Sequence, residues 1–233
     1  MKKALLIASA VAATSLFAVD SNEISFLPVT PPAAHGLTLL AVPFNGYGSG
    51  DSASIAVADV LLTDGLSNGD KLYIPTATKG VYNQYTLNNG TWEPNKVVTI
   101  TGSSTTAGDA DSPTAATIAR GQAFWLESSA SSVKLLGQAA TQALKTVSIP
   151  EAGYQLLAPT TSENDILISS LAGATGDMVI LANGTRYQKT SKDDAGNGWR
   201  NVAARTTVIG ASDKIPAGVG FWYKAGGARS LEL

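Results

Sequence analysis

An internal duplication constrains the fold of this chain more than any other feature of its sequence. Residues 36–42 and 153–158 are short apolar segments, and each is followed by a proline. Further landmarks then recur in the same order in both halves. They are a Gly-Asp turn, an Asn-Gly turn, a Phe-Trp pair and a closing strand: Gly69-Asp70 and Gly176-Asp177, Asn89-Gly90 and Asn197-Gly198, Phe124-Trp125 and Phe221-Trp222, residues 132–136 and 228–233. The repeat predicts two tandem homologous modules of ordinary domain size, residues 36–137 and 153–233, joined by a linker or bridging strand over 138–152.

Within each module, short β-prone segments alternate with turn signals. The two Asn-Gly pairs lie between such segments, and Asn-Gly is the dipeptide that best fits a type I′ hairpin turn. A short helix is predicted once per repeat, over residues 55–62 and 165–171. The fold class is therefore all-β with one short helix per repeat, arranged as two β-sandwich or barrel-like modules. Residues 101–117, rich in Thr, Ser, Gly and Ala, have a much shorter counterpart in the second copy and are predicted to be a surface loop.

The first eighteen residues have the pattern of a secretory signal peptide. Lys2 and Lys3 precede an apolar stretch that is too short for an ordinary transmembrane helix. We expect a secreted protein, extracellular or on the cell surface, with no membrane span after cleavage near Ala18. An N-terminal membrane anchor is the alternative reading of the same segment.

Composition narrows the chemistry that the chain can perform. Charged residues make up 15%, the net charge is −2, and there is no cysteine and one histidine. This excludes disulfides and thiol catalysis, and it argues against a nucleic-acid partner. His35 follows Pro31-Pro32 and is expected to be a linker or surface residue. No catalytic constellation stands out, so the sequence predicts a protein that is not an enzyme and has no cofactor.

Aspartate-rich turns are the remaining candidates for chemistry. Residues 193–198 and the pair Asp109 and Asp111 offer hard oxygen ligands for Ca²⁺, but turn formation accounts for the same residues, and no metal site is predicted. Asp70 and Asp177 occupy equivalent places after glycine. Their repetition predicts a structural role in capping a turn.

The segment Pro216-Ala217-Gly218-Val219-Gly220-Phe221-Trp222, together with the Leu-Leu-Ala-x-Pro and Gly-Asp landmarks before it, resembles a repeated β-rich module of secreted bacterial proteins of unknown function. The resemblance covers about residues 36–233. The first copy departs from it, with Ala119-Arg120-Gly121 in place of Pro216-Ala217-Gly218. The resemblance implies export and a β-rich fold, and it implies no catalytic residues.

Four tryptophans fall at matched places, two in each copy. Aromatic rings stack on sugar rings in glycan-binding modules, and Trp92 and Trp199 are the residues to which we assign this role if they are exposed. A Phe-Trp pair in a strand directs one ring to each face of the sheet, so one ring of each pair is expected in a core. The duplicated pattern favours core roles over a stacking platform.

The segment between the signal peptide and the first module, residues 19–35, is predicted to be an extended arm. Ile24, Phe26 and Val29 alternate with polar residues, and Pro31-Pro32 separates them from the module. Such an arm can add a strand to a neighbouring subunit, and head-to-tail addition propagates as a filament. The sequence supports an alternative equally well, in which residues 23–29 are the first strand of their own domain.

These features together predict a secreted structural protein that self-assembles into an extracellular fibre or surface layer. Its partner is then a second copy of itself, contacted through Ile24, Phe26 and Val29. The low charge reduces repulsion between packed copies. The alternative is a glycan-binding or adhesive surface module, whose partners are glycans.

Overall fold

A computed structural model describes residues 24–29, 36–42, 54–101, 104–119, 121–138, 146–160 and 165–233. The predicted signal peptide and His35 lie outside the described residues. Within the described part, 54% of the structure is β-strand and the sheets are antiparallel, which confirms the predicted all-β class. No helix in this part is long and apolar enough to cross a membrane.

The described residues form twenty strands and two short helical turns, connected by turns and loops. In chain order the strands are β1 (Ile24–Val29), β2 (Gly36–Ala41), β3 (Ser54–Ala56), β4 (Leu61–Leu62), β5 (Lys71–Pro75), β6 (Val81–Asn88), β7 (Thr91–Thr101), β8 (Ser104–Asp111), β9 (Thr117–Ala119), β10 (Ala123–Ser128), β11 (Val133–Gln138), β12 (Thr146–Ile149), β13 (Gly153–Leu157), β14 (Ile166–Leu167), β15 (Met178–Leu181), β16 (Arg186–Lys189), β17 (Trp199–Asn201), β18 (Lys214–Ile215), β19 (Phe221–Ala225) and β20 (Arg229–Glu232). Helix α1 spans Val57–Val60, and a 3₁₀ turn spans Ile168–Ser170.

The main sheets of the two halves have matching strand orders over five strands, and β8 is a sixth strand of the first sheet with no counterpart in the second. In the first half the order is β2-β10-β5-β6-β7-β8, and in the second it is β13-β19-β15-β16-β17. Smaller pairings also correspond, with β3-β9 and β1-β11 in the first half and β14-β18 and β12-β20 in the second. Each main sheet has two end strands, so the barrel-like alternative is not what the described residues form.

Two separate cores lie against these sheets. The first is built around Leu40, Phe124 and Leu135, and the second around Trp199, Phe221 and Leu231, all of them buried. Because successive side chains of a strand point to opposite faces, Phe124 and Phe221 enter the cores while the tryptophan after each of them faces the other way. Each of the two main sheets therefore has a tryptophan on the face directed away from its core, which we call the outer face.

The first Asn-Gly hairpin forms as predicted, with Asn88 paired to Thr91 across the two-residue loop. In the second half residues 190–198 connect Lys189 to its partner Trp199, so the second Asn-Gly pair is a turn at the end of a longer loop rather than the hairpin loop that was predicted. Asn89 and Gly90 have φ of 47° and 78°, and Asn197 and Gly198 have φ of 47° and 74°. Positive φ at both central residues is the condition for a type I′ turn, whose twist matches that of the flanking strands.

Three further local predictions need correction. The helix predicted over residues 165–171 is instead strand β14 followed by the 3₁₀ turn Ile168–Ser170, since Ile166 pairs with Ile215 of β18. The helix predicted over residues 55–62 is reduced to the single turn α1, since Ile55 pairs with Ile118 in one strand pair and Leu61 pairs with Leu135 in another. The segment predicted as a surface loop contains β8, which pairs with β7 and is exposed along its whole length. Main-chain pairing with β7 is sufficient to order a strand that has no apolar face.

Strand β1, in the predicted arm, pairs with β11 of the same chain in antiparallel register from Ile24 opposite Gln138 to Val29 opposite Val133. This is the alternative in which the segment is the first strand of its own domain. The pairing of β12 with β20 is its counterpart in the second half.

Candidate functional site

The two halves meet through a reciprocal set of main-chain contacts. The N–H of Ala41 donates to the carbonyl of Gly218 (2.9 Å), and the N–H of Ala158 donates to the carbonyl of Gly121 (2.8 Å). Ala41 and Ala158 are equivalent in the repeat, as are Gly121 and Gly218. Isolated bridges between Leu40 and Val219 and between Gln122 and Leu157 accompany these bonds, so the strand β2 or β13 of each half contacts the segment before the Phe-Trp strand of the other.

A seam of small and apolar side chains seals this junction: Leu39, Ala41, Ala123, Leu156 and Ala158, with Trp125 and Trp222 packed on it. Gly220 allows the closest approach, because a Cβ built on it would lie 2.4 Å from the Cβ of Ala123 and 2.9 Å from the Cγ of Leu39. No larger residue fits at Gly220 without moving one of the halves.

A cleft of about 880 Å³ opens beside the seam and is lined by residues of both halves. Trp125 on β10 stands between Leu39 of β2 and Tyr73 of β5, and Trp222 on β19 stands between Leu156 of β13 and Ile180 of β15. Both indoles are half-buried and line the cleft. The repeat thus places one tryptophan from each half in a shared aromatic cavity.

The wall beneath Trp125 is a well-packed aromatic patch. Tyr73, Tyr82 and Val98 are buried together with Trp125 against them. Burial raises the pKa of Tyr82, and a hydrogen bond with Trp125 opposes that shift. The hydroxyl of Tyr73 donates to Oε2 of Glu127 at 2.5 Å, and burial followed by this hydrogen bond raises the pKa of Tyr73. The hydrogen bond to Glu127 orients the Tyr73 side chain, which lies next to Trp125 across β5 and β10.

Polar groups are few in the cleft and are supplied by both halves. Gln122 donates from Nε2 to the carbonyl of Pro75 (3.0 Å), which fixes its side chain, and Gln155 and Glu151 also line the cavity. At one side the Tyr154 ring is 41% exposed, with the ammonium groups of Lys79 and Lys224 at 5.8 and 5.6 Å from its centroid. An apolar cavity with a small number of placed polar groups is the usual form of a small-molecule site.

The tryptophans singled out from the sequence for stacking lie elsewhere. Trp92 is 7% exposed and belongs to the first core, and Trp199 is fully buried in the second. The indole N–H of Trp199 donates to the carbonyl of Leu171 at 3.0 Å. A ring enclosed in a core has no face for a ligand, so Trp125 and Trp222 replace this pair as the candidate stacking residues. The Phe-Trp alternation is the sequence signal that could have found them, because it directs one ring of each pair away from the core.

The other singled-out residues are placed as follows. Asp70 accepts from the N–H of Ser67 (3.0 Å), and Asp177 accepts from the N–H of Ala174 (2.8 Å), which confirms the predicted turn caps. Asp194, in the Asp-rich turn considered for Ca²⁺, forms an ion pair with Arg200. Among the described residues no group of three His, Cys, Asp or Glu side chains is arranged to hold a metal ion.

The residues predicted to contact a neighbouring subunit lie on β1. In the register with β11 of the same chain, Ile24, Phe26 and Val29 are opposite Gln138, Leu136 and Val133.

Comparisons of the chain with protein-family models, with curated proteins and with solved structures found no significant match.

Proposed function

We propose that the protein is a secreted glycan-binding module of the cell surface or extracellular medium, and that its ligand lies between Trp125 and Trp222. The observation that carries this proposal is the shared aromatic cleft of about 880 Å³ beside the seam. The role is one of binding and adhesion rather than catalysis.

The proposal includes two tandem homologous modules, over residues 36–137 and 153–233. The matching strand orders support it, as do the reciprocal hydrogen bonds from Ala41 and Ala158. A contact in which the same surface of each partner meets the other is the geometry of a two-fold symmetric dimer. Two linked copies would obtain such an interface within one chain, and the cleft requires both of them.

Sugar chemistry fits the lining of the cleft. The C–H faces of a pyranose ring are apolar and pack on indole and phenol rings, while its hydroxyl groups require hydrogen-bond partners. Trp125 and Trp222 supply the rings, and Gln122, Gln155 and Glu151 supply donors and acceptors. The cavity is within the size range of ligand sites, which is about 300–1,000 Å³.

The test is a glycan-array screen of the mature protein, residues 19–233, beside Trp125→Ala and Trp222→Ala. Leu167→Ala is the control, since Leu167 is an exposed apolar residue that does not line the cleft. We expect binding to a defined set of glycans that each tryptophan variant weakens at least tenfold and the control retains. Absence of binding by the mature protein, or equal binding by all four proteins, would overturn the proposal.

A second candidate function is self-assembly into a fibre or surface layer by exchange of β1 between copies. The observation that favours it is the position of β1 at the end of the sheet β1-β11-β4, where it is joined to β2 by a segment containing Pro31-Pro32. Proline-rich segments are extended and stiff, so they can hold a strand away from its own module. In an exchanged assembly, Ile24, Phe26 and Val29 would contact β11 of a neighbouring copy.

Because the chain has no native cysteine, an engineered disulfide can test this exchange. Ser25 faces Gly137 across β1 and β11, and Ser148 faces Ser230 across β12 and β20. We expect filaments or sheets by electron microscopy from the mature protein and from oxidised Ser148→Cys/Ser230→Cys, and discrete particles from oxidised Ser25→Cys/Gly137→Cys. Assembly by the oxidised Ser25–Gly137 pair, or a monomeric mature protein under all salt and calcium conditions, would contradict exchange.

A further inference from the structure

We infer that the glycan taken by the cleft is acidic, and that Lys79 and Lys224 receive its anionic group beside Tyr154. This inference rests on the proposed glycan-binding function and names the class of ligand. The shared chemistry is a carboxylate or sulfate carried on a sugar ring.

Two lysine side chains, one from each half, lie beside the ring of Tyr154. Lys79 comes from the turn between β5 and β6 in the first half, and Lys224 comes from β19 in the second, directly opposite Tyr154 of β13. Both ammonium groups lie within 6 Å of the Tyr154 ring centroid, which is the range of a cation–π contact. Each half therefore contributes one cation to a single aromatic residue of the cleft.

Neither lysine beside Tyr154 has an acidic partner among the described residues. The ion pairs found among the described residues engage Lys71, Lys96, Lys134, Lys214, Arg200 and Arg229, and none engages Lys79 or Lys224. Glu151 is the acidic residue that lines the cleft, and it forms no ion pair with either of them. An anion that reaches these ammonium groups supplies the missing countercharge and gains charge-assisted hydrogen bonds.

The positive charge at Tyr154 is opposite in sign to the net charge of the chain. Removal of residues 1–18 takes away Lys2 and Lys3, so the mature protein carries 14 basic against 18 acidic side chains. A net negative protein repels polyanions at long range. Binding of an acidic glycan would therefore depend on a local positive site, and the cluster at Tyr154 is one.

The two lysines lie at one end of the aromatic surface of the cleft. Tyr154 lines the same cavity as Trp125 and Trp222. A glycan stacked on these tryptophans would extend a neighbouring sugar towards Tyr154, and a carboxylate or sulfate on that sugar would meet Lys79 and Lys224. Stacking would supply affinity for the chain of rings, and the lysines would select the acidic ones.

The test compares charged glycans with neutral glycans of the same backbone. The probes are polygalacturonate against its fully methyl-esterified form, and dextran sulfate against dextran, each titrated by calorimetry at two salt concentrations. The proteins are the mature chain, Lys79→Gln, Lys224→Gln, the double variant and Lys192→Gln. Lys192 is a matched control, because it is an exposed lysine outside the cleft with no ion pair among the described residues.

We expect at least tenfold tighter binding of one charged glycan than of its neutral form, with an affinity that falls as salt rises. The double variant should lose that preference and Lys192→Gln should keep it. Preference for polygalacturonate identifies a carboxylate, and preference for dextran sulfate identifies a sulfate. Equal binding of charged and neutral forms, or an equal loss with Lys192→Gln, overturns the inference while the glycan-binding proposal stands. Failure of charged and neutral forms alike, joined to a blank array, overturns both.

Discussion

The backbone N–H of Ala41 donates a hydrogen bond to the carbonyl oxygen of Gly218, with 2.9 Å between nitrogen and oxygen, across the boundary between the two halves of the chain. Its counterpart runs from Ala158 to Gly121 in the opposite direction. These bonds set the separation of the strands that carry Trp125 and Trp222. The cleft is therefore a property of the junction, and changes at the junction should affect the cleft.

Enlarging Gly220 should weaken this junction. In Gly220→Ala the new methyl group would meet Ala123 at 2.4 Å and Leu39 at 2.9 Å, so the halves must separate. Overpacking of this kind costs about 1–3 kcal/mol of unfolding free energy. Urea denaturation measures the loss. Gly210→Ala is the control, because no atom lies within 4 Å of its new Cβ, and a loss equal to that of the control would refute the close approach.

Breaking the buried ion pair of Asp177 should be severe. Asp177 is fully buried, its Oδ2 lies 2.5 Å from a guanidinium nitrogen of Arg229, and it also accepts a hydrogen bond from the Tyr223 hydroxyl. Asp177→Ala leaves Arg229 largely buried without its counterion, which costs about 3–5 kcal/mol. Thermal unfolding gives the comparison with Asp64→Ala, whose pair with Lys134 is at the surface and is worth less than about 1 kcal/mol. Similar losses of unfolding free energy in the two variants would contradict the assignment of Asp177 and Arg229 as a buried ion pair.

Stability should fall at alkaline pH through the buried tyrosines. Burial, and then a hydrogen bond from its hydroxyl to Asp213, raises the pKa of Tyr187 to about 12 in the folded protein. In the unfolded chain a tyrosine has a pKa of about 10, so between pH 10 and 12 the unfolded state loses a proton that the folded state keeps. The free energy of unfolding is then unaffected by this group below pH 10 and falls as pH rises above it.

Chemical denaturation at several pH values between 9 and 12 checks this dependence. Tyr187→Phe should show a shallower decline than the parent protein. Part of the decline should remain, because burial also raises the pKa of Tyr73 and Tyr223. An unchanged slope in Tyr187→Phe would show that this residue does not titrate differently in the two states.

The tryptophans should separate into two classes in acrylamide quenching. Trp125 and Trp222 are half-buried on the outer faces of the main sheets, whereas Trp92 and Trp199 lie in the cores. Trp125→Phe and Trp222→Phe should each remove a quenchable component of the fluorescence, and Trp92→Phe and Trp199→Phe should remove a protected one. Quenching that is lost with Trp92→Phe would place that ring at the surface instead.

Local chemistry made part of this fold predictable from the sequence. The Asn-Gly turns at residues 89 and 197 follow from the positive φ that such dipeptides accept. The caps made by Asp70 and Asp177 follow from short side chains placed three residues after an N–H that needs an acceptor. The alternation in Phe124-Trp125 assigned one ring to the core and one to the outer face.

Long-range pairing made the rest unpredictable. Which tryptophans line the cleft depends on how the two halves meet, and no local pattern near Trp92 or Trp199 encodes that junction. Strand β8 has polar or small side chains on both faces, so its sequence reads as a loop until its pairing with β7 is known. The alternating pattern of β1 fits an arm and a first strand equally, and only its register with β11 distinguishes them within one chain.

The most direct test of glycan binding in the cleft is ¹⁹F NMR of the mature protein labelled with 5-fluorotryptophan. The chain has four tryptophans, so single Trp→Phe variants assign every resonance. On titration with a glycan identified by the array, the resonances of Trp125 and Trp222 should shift together and saturate, and those of Trp92 and Trp199 should stay in place. Saturable binding that leaves Trp125 and Trp222 unshifted would place the glycan elsewhere and contradict the account.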